Sequence, residues 1–144
     1  MVLADGAGTP LGTLVAKANP AEVRLLEDTL DAARVRKRRG RPAKRPRQPA
    51  HLVADRAYDS NAAREMLVSR RIKPIIPKRR TNTKATHQDG RKLRRYRRRY
   101  IVERTNSWLQ NFRRLVVRYE RKSKNFEALL HMACALIALK RVSG

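Results

Sequence analysis

The sequence predicts an α/β protein. Three observations carry that reading: a strand–helix–strand pattern over residues 51–77, a turn-rich hairpin pattern near the N-terminus, and two amphipathic helical segments toward the C-terminus. At 144 residues the chain is one domain by length and large enough for a core.

Charge narrows the partners. The chain has 36 basic against 12 acidic residues, a net charge of +24, and such an excess destabilises a compact state by self-repulsion. A polyanion relieves it. Nucleic acid is the expected one, since neutralising phosphates releases counterions and supplies sequence-independent affinity. An anionic membrane is the rival, but no run of 18 apolar residues and no signal-peptide pattern is present, so no membrane partner is expected. The lone Cys134 excludes an internal disulfide and a cysteine-based zinc site, and the scattered His51, His87 and His131 do not restore one. The expected setting is intracellular.

In chain order, the DGAGTP segment at 5–10 is rich in turn formers and sits between two short strands within residues 1–17. Asp5 therefore reads as a turn residue. Asn19, Pro20 and Glu22 resemble a helix start, followed by apolar residues 25, 26, 30 and 33 at helical spacing. Between Arg34 and Arg47 nine of fourteen residues are basic, with Gly40, Pro42 and Pro46 among them. This predicts a basic loop over about 36–49, which is at once a solvated loop and a candidate contact for a nucleic-acid backbone.

His51 to Asp55 reads as a buried strand ending on a carboxylate. Asp59 or Ser60 then caps a helix over 60–70, and 72–77 (IKPIIP) forms a second strand with edge character from its prolines. In such sheets, ligands bind beyond the carboxyl ends of the strands. Asp55 is thus either a ligand-binding residue or a simple turn or cap residue.

Residues 78–95 lack apolar periodicity and read as a second basic loop. Helices are predicted over about 96–118 and 125–140. The first has an apolar stripe of Ile101, Thr105, Trp108, Leu109, Phe112, Leu115 and Val116, so packing outweighs base stacking for Trp108. At about 100° per residue, Tyr96, Arg99, Glu103 and Gln110 share a different, polar face. Glu103 is there either an ordinary ion-pair partner of Arg99 or a ligand for something more demanding. His131 and Cys134 fall within the second, strongly apolar helix and read as packing residues.

Phosphodiester cleavage and strand transfer suit carboxylates of this kind. Two divalent ions about 3.5–4 Å apart can activate the attacking oxygen and stabilise the leaving one. Mg²⁺ takes hard oxygen ligands and needs neither His nor Cys. A strand-terminal Asp facing a helical Glu within a phosphate-attracting surface is what that chemistry uses.

On these residues the chain resembles the DDE transposases of bacterial insertion sequences, in the insertion-sequence-five group. ADRAYDS at 54–60 resembles the family's second-Asp motif, IKPIIPKRR at 72–80 is similar to the segment that follows it, and Tyr96, Arg99 and Glu103 have the spacing of the signature around the catalytic Glu. Residues 112–141 are similar to the family's C-terminal end. The resemblance implies an RNase H-like fold, here incomplete, as a short mixed sheet with flanking helices. It implies Asp55 and Glu103 as catalytic and metal-binding residues, with Mg²⁺ or Mn²⁺ as cofactor. DNA, both insertion-sequence terminal repeats and target DNA, would be the partner. Tyr96, Arg99, Arg104, Gln110, Arg113 and Arg114 are the DNA-binding candidates.

Two departures accompany it. The family has a Lys where Gln110 stands, which removes a point charge that Arg113 or Arg114 one turn on can replace. The family's first Asp lies on a strand ahead of a stretch similar to residues 3–12, so that strand and Asp are expected to be missing, and Asp5 is not promoted to the role. The expectation is a truncated DDE transposase domain over 1–144, inactive alone or the downstream part of a frameshifted enzyme. Metal would bind only when the first carboxylate is supplied, and assembly with an intact transposase is left open. The expected location is the bacterial cytoplasm, at the nucleoid. The alternatives are a non-enzymatic basic nucleic-acid binder and a dominant-negative regulator of a full-length transposase.

Overall fold

A computed structural model describes residues 1–16, 22–33, 49–81 and 90–143. The expected cap at Asn19–Pro20, nearly all of the 36–49 loop and residues 82–89 of the second loop lie outside the described residues. The elements are β1 (Val2–Ala4), β2 (Pro10–Thr13), a 3-10 turn (Glu22–Leu25), α1 (Leu26–Ala32), β3 (His51–Val53), a 3-10 turn (Arg56–Tyr58), α2 (Asn61–Ser69), β4 (Lys73–Ile75), a 3-10 helix (Gly90–Arg99), α3 (Tyr100–Gln110), α4 (Arg113–Val116) and α5 (Ser123–Ser143). The result is α/β, as expected, but the described residues form two separate two-stranded sheets, one antiparallel and one parallel, in place of the expected single short mixed sheet. The chain forms two compact units, one of Met1–Pro20, Asp28–Ala33 and Tyr100–Gly144, the other of Ala21–Glu27 and Arg34–Arg99.

In the second unit β3 and β4 run parallel, pairing His51 with Lys73, Leu52 with Pro74 and Val53 with Ile75. Parallel neighbours need a crossover, and α2 supplies it. Lys73 N–H donates to Ala50 and Ala54 N–H donates to the Ile75 carbonyl. The inward-bonding residues of β4 are thus 73 and 75, and Pro74, with no N–H to give, faces the outer edge. Ser60, rather than Asp59, caps α2 by accepting from Ala63 N–H at 3.2 Å. The helix stops in a Schellman arrangement: Ile72 N–H bonds to Leu67 O, Arg71 N–H bonds to Val68 O, and Arg71 is left-handed at φ 60°. Leu52, Ala63, Leu67, Ile72, Ile75 and Ile76 form the buried core of this unit.

The expected loop up to residue 95 is corrected in part, because helical backbone starts at Gly90. A 3-10 run of this length is uncommon, and its burial explains it: Leu93, Tyr96 and Arg99 are partly buried while residues 94, 95, 97 and 98 are exposed. A period of three matches three residues per turn.

In the first unit β1 and β2 form the expected antiparallel hairpin, with a bulge between Leu3 and Ala4. The Asp5 carboxylate closes its turn, Oδ1 accepting from Ala7 N–H at 2.8 Å and Thr9 N–H at 2.9 Å. Gly12 is required by close approach, since a Cβ there would lie 2.9 Å from Ala33 Cα. The single helix expected over 96–118 is broken. α3 ends at Gln110, Phe112 is extended (φ −87°, ψ 100°), and α4 is a separate turn. No Gly or Pro forces the break. Phe112 and Leu115 turn instead onto a core of Leu109, Leu130, Ala133 and Ile137. α5 matches the expected second helix and extends slightly beyond it. Its apolar residues divide: Leu130, Ala133 and Ile137 are buried, while Met132, Leu136, Leu139 and Val142 are exposed.

Candidate active site and nucleic-acid interface

Asp55 lies two residues past the end of β3, on the carboxyl side of the parallel pair. There it caps the 3-10 turn, Oδ1 accepting from Ala57 N–H at 2.7 Å. The cap reading and the ligand reading are compatible, because a carboxylate has a second oxygen. The loop that carries Asp55 is held from beneath. Arg64 Nε donates to Asp59 Oδ1 at 2.8 Å, Arg64 Nη2 to the Ile76 carbonyl at 2.9 Å, and Arg79 N–H to Asp59 Oδ2 at 2.5 Å. One buried pair therefore ties the end of the motif at 54–60 to α2 and to the segment following β4. Sequence reasoning missed this pair. The available signal was an acid at a helix entrance five residues before an Arg on the helix's apolar side.

On the 3-10 helix, Arg99 Nη1 donates to the Tyr96 hydroxyl at 3.1 Å. Arg95 Nη1 lies 2.8 Å from His51 Nδ1 at the start of β3. Tyr96 and Arg99 thus form a local pair on a helix packed beside the sheet.

Glu103 belongs to the other unit, exposed in the first turn of α3. Gln110 is exposed at the end of the same helix, and Arg113 and Arg114 are exposed one turn on in α4, where Arg114 lies 3.7 Å from Glu120. Arg104 is employed within the fold: Nη2 donates to the Ala7 carbonyl at 3.0 Å, and its guanidinium carbon lies 5.0 Å from the Trp108 ring centre. Trp108 is half-buried beside the core, in line with a packing role. Next to it, Thr105 Oγ1 donates to the Gly8 and Ile101 carbonyls at 2.9 and 3.0 Å. These bonds fasten the hairpin turn onto α3.

Cys134 is half-buried, and desolvation raises its thiol pKa above the ordinary value. Among the described residues no three His, Cys, Asp or Glu side chains stand together as a metal-binding group. No helix among them is long and apolar enough to cross a membrane.

Residues 1–138 match the transposase DDE domain family. The chain belongs to that family. A relative from Burkholderia cepacia, named as a transposase for insertion sequence element IS402, is 41% identical over 137 residues, covering 94% of this chain and 60% of the relative. The chain therefore spans about 60% of the length of the curated relative it matches. No solved structure matches significantly. Membership of the DDE family agrees with the resemblance read from the motifs at 54–60 and 96–103.

Proposed function

We propose that this DDE-family chain acts in DNA transposition, with Asp55 and Glu103 as its metal-holding and catalytic carboxylates. The observation that carries the reading is the position of Asp55 just beyond the carboxyl end of a parallel strand, where α/β sheets bind ligands. On this reading the paired strands and crossover belong to an RNase H-like fold. Each carboxylate is of the type a hard divalent cation takes: Mg²⁺ prefers carboxylate oxygens and waters, and Mn²⁺ accepts the same oxygens. The ions would supply activation of the attacking oxygen and stabilisation of the leaving one. The chain's own residues hold and orient the DNA. Arg99, Gln110, Arg113 and Arg114 take phosphates, Tyr96 orients Arg99, and Arg104 adds positive charge from its place over Trp108.

Among the described residues no three His, Cys, Asp or Glu side chains form a metal-binding group. We therefore assign to the 144 residues alone DNA binding with little or no cutting. A partner chain such as an intact transposase would complete the site, and the place of action would be the bacterial cytoplasm at the nucleoid. Incubating the chain with labelled duplex DNA and Mg²⁺ tests this. Binding is expected, while sustained strand joining sinks the inactive assignment. Failure to bind duplex at low salt sinks the DNA reading. If joining is seen, Asp55→Asn and Glu103→Gln must each abolish it, or the carboxylates are wrongly assigned.

A further inference from the structure

In the unit holding both chain ends, a cleft of about 300 Å³ opens beside Trp108. That volume is at the low end for small-ligand pockets. Trp108, Phe112, Leu136 and Ile137 make it apolar, while Asn111, Lys140 and Arg141 supply its polar groups. Among the described residues that line it, none is acidic. The guanidinium carbons of Arg104 and Arg141 each lie 5.0 Å from the Trp108 ring centre, and both side chains donate to the Ala7 carbonyl. An indole beside an apolar slot, with cations and one amide around it, is thus fixed to the hairpin turn.

We propose that this cleft takes one unpaired nucleobase of a DNA strand. The base lies against Trp108 and Phe112, its polar edge meets the Asn111 amide, and Lys140 and Arg141 hold the adjoining phosphate. Aromatic rings offer stacking that any base accepts, and an Arg guanidinium can stack on a base as it does on indole. Charge decides the occupant. A plain apolar side chain would leave the rim cations without a counter-charge, whereas a nucleotide joins a flat ring to an anion. A net charge of +24 already draws polyanions to the surface. The proposal rests on the DNA reading above and adds unpaired strand as a ligand class.

Trp108 is the chain's sole tryptophan, so its emission reports this cleft directly. The experiment titrates the full chain with three labelled probes of about a dozen nucleotides, within the site size of single-strand binders. They are a duplex, a mixed-sequence single strand and an abasic single strand, and both label anisotropy and Trp108 emission are read. The expected result is binding of all three, with Trp108 quenched by the base-bearing single strand alone. Trp108→Leu should lower single-strand affinity roughly ten-fold, the range for loss of one stacked base, and lower duplex affinity markedly less. Leu136→Phe, which fills the cleft from an exposed position, gives the same loss without disturbing the core. Binding without base-dependent quenching overturns the proposal, as does equal quenching by the abasic strand. Quenching by an acidic Leu-rich peptide but not by DNA also overturns it. Loss of anisotropy for all three probes removes the DNA reading itself and this proposal with it.

Discussion

Arg64 and Asp59 form an ion pair whose side chains are both completely buried, with Arg64 Nη2 2.7 Å from Asp59 Oδ1. In a chain so rich in arginine, this is a guanidinium withdrawn wholly from water. Its desolvation is offset because Asp59 and the Ile76 carbonyl accept from it while Arg79 N–H serves the other carboxylate oxygen. Removing one partner strands the other. Arg64→Met should destabilise the fold by about 3–5 kcal/mol. Urea unfolding followed by circular dichroism measures it, and a midpoint close to wild type would show that the pair is dispensable.

Arg71 offers a change of opposite sign. It holds the left-handed position at the end of α2, where glycine has no Cβ penalty. Arg71→Gly should therefore stabilise by up to about 1 kcal/mol, after the greater freedom of the unfolded glycine chain is subtracted. A higher urea midpoint with unchanged slope checks it.

Gly8 sits at φ 92°, and a Cβ there would lie 3.2 Å from both Arg104 Nη2 and Thr105 Oγ1. Gly8→Ala should cost about 1–3 kcal/mol through backbone strain. It should also disturb the packing around Trp108. A lowered melting temperature accompanied by a shifted Trp108 emission maximum is the expected pair of results, and a drop without the emission change would separate strain from docking.

Arg113 and Arg114 should each contribute about one phosphate contact if α4 faces DNA. The double variant Arg113→Ala/Arg114→Ala should then flatten the slope of log affinity against log salt by about 2. Anisotropy titrations from low to moderate salt give both slopes. An unchanged slope would remove α4 from the interface.

Burial raises the thiol pKa of Cys134, so the folded chain keeps its proton at pH values where the unfolded chain has released it. The associated stability is complete below the unfolded thiol's pKa and is lost as pH rises through the folded value. Iodoacetamide, which needs the thiolate, should label the native chain more slowly than the urea-unfolded chain at about pH 8. Equal rates would contradict the burial.

The hairpin, the parallel pair with its crossover helix and the C-terminal helix were legible because each depends on local signals: turn residues at 5–10, a cap at Ser60, apolar runs at 72–76 and 126–137. What was not legible depended on packing. The break at Phe112 has no Gly or Pro to announce it, and follows from where α5 offers a surface. The first part of the 3-10 helix, residues 90–95, looked like loop, since a period of three among arginines is no apolar pattern at all. At the candidate site, Asp55 and Glu103 were visible as types and positions. The pair beneath Asp55 was not, because a buried Arg reads in sequence like any exposed one.

The hairpin turn bonds to residues far along the chain: Ala7 accepts from Arg141, 134 positions later, and Gly8 from Thr105, 97 later. During synthesis at bacterial rates those partners emerge on the order of ten seconds after the hairpin does. Through that interval β3, α2 and β4 of the second unit emerge and can pair by themselves. The β1–β2 hairpin is thus docked long after it is made. A nascent chain stalled before α5 should leave the β1–β2 hairpin open to protease while the β3–α2–β4 segment is already protected.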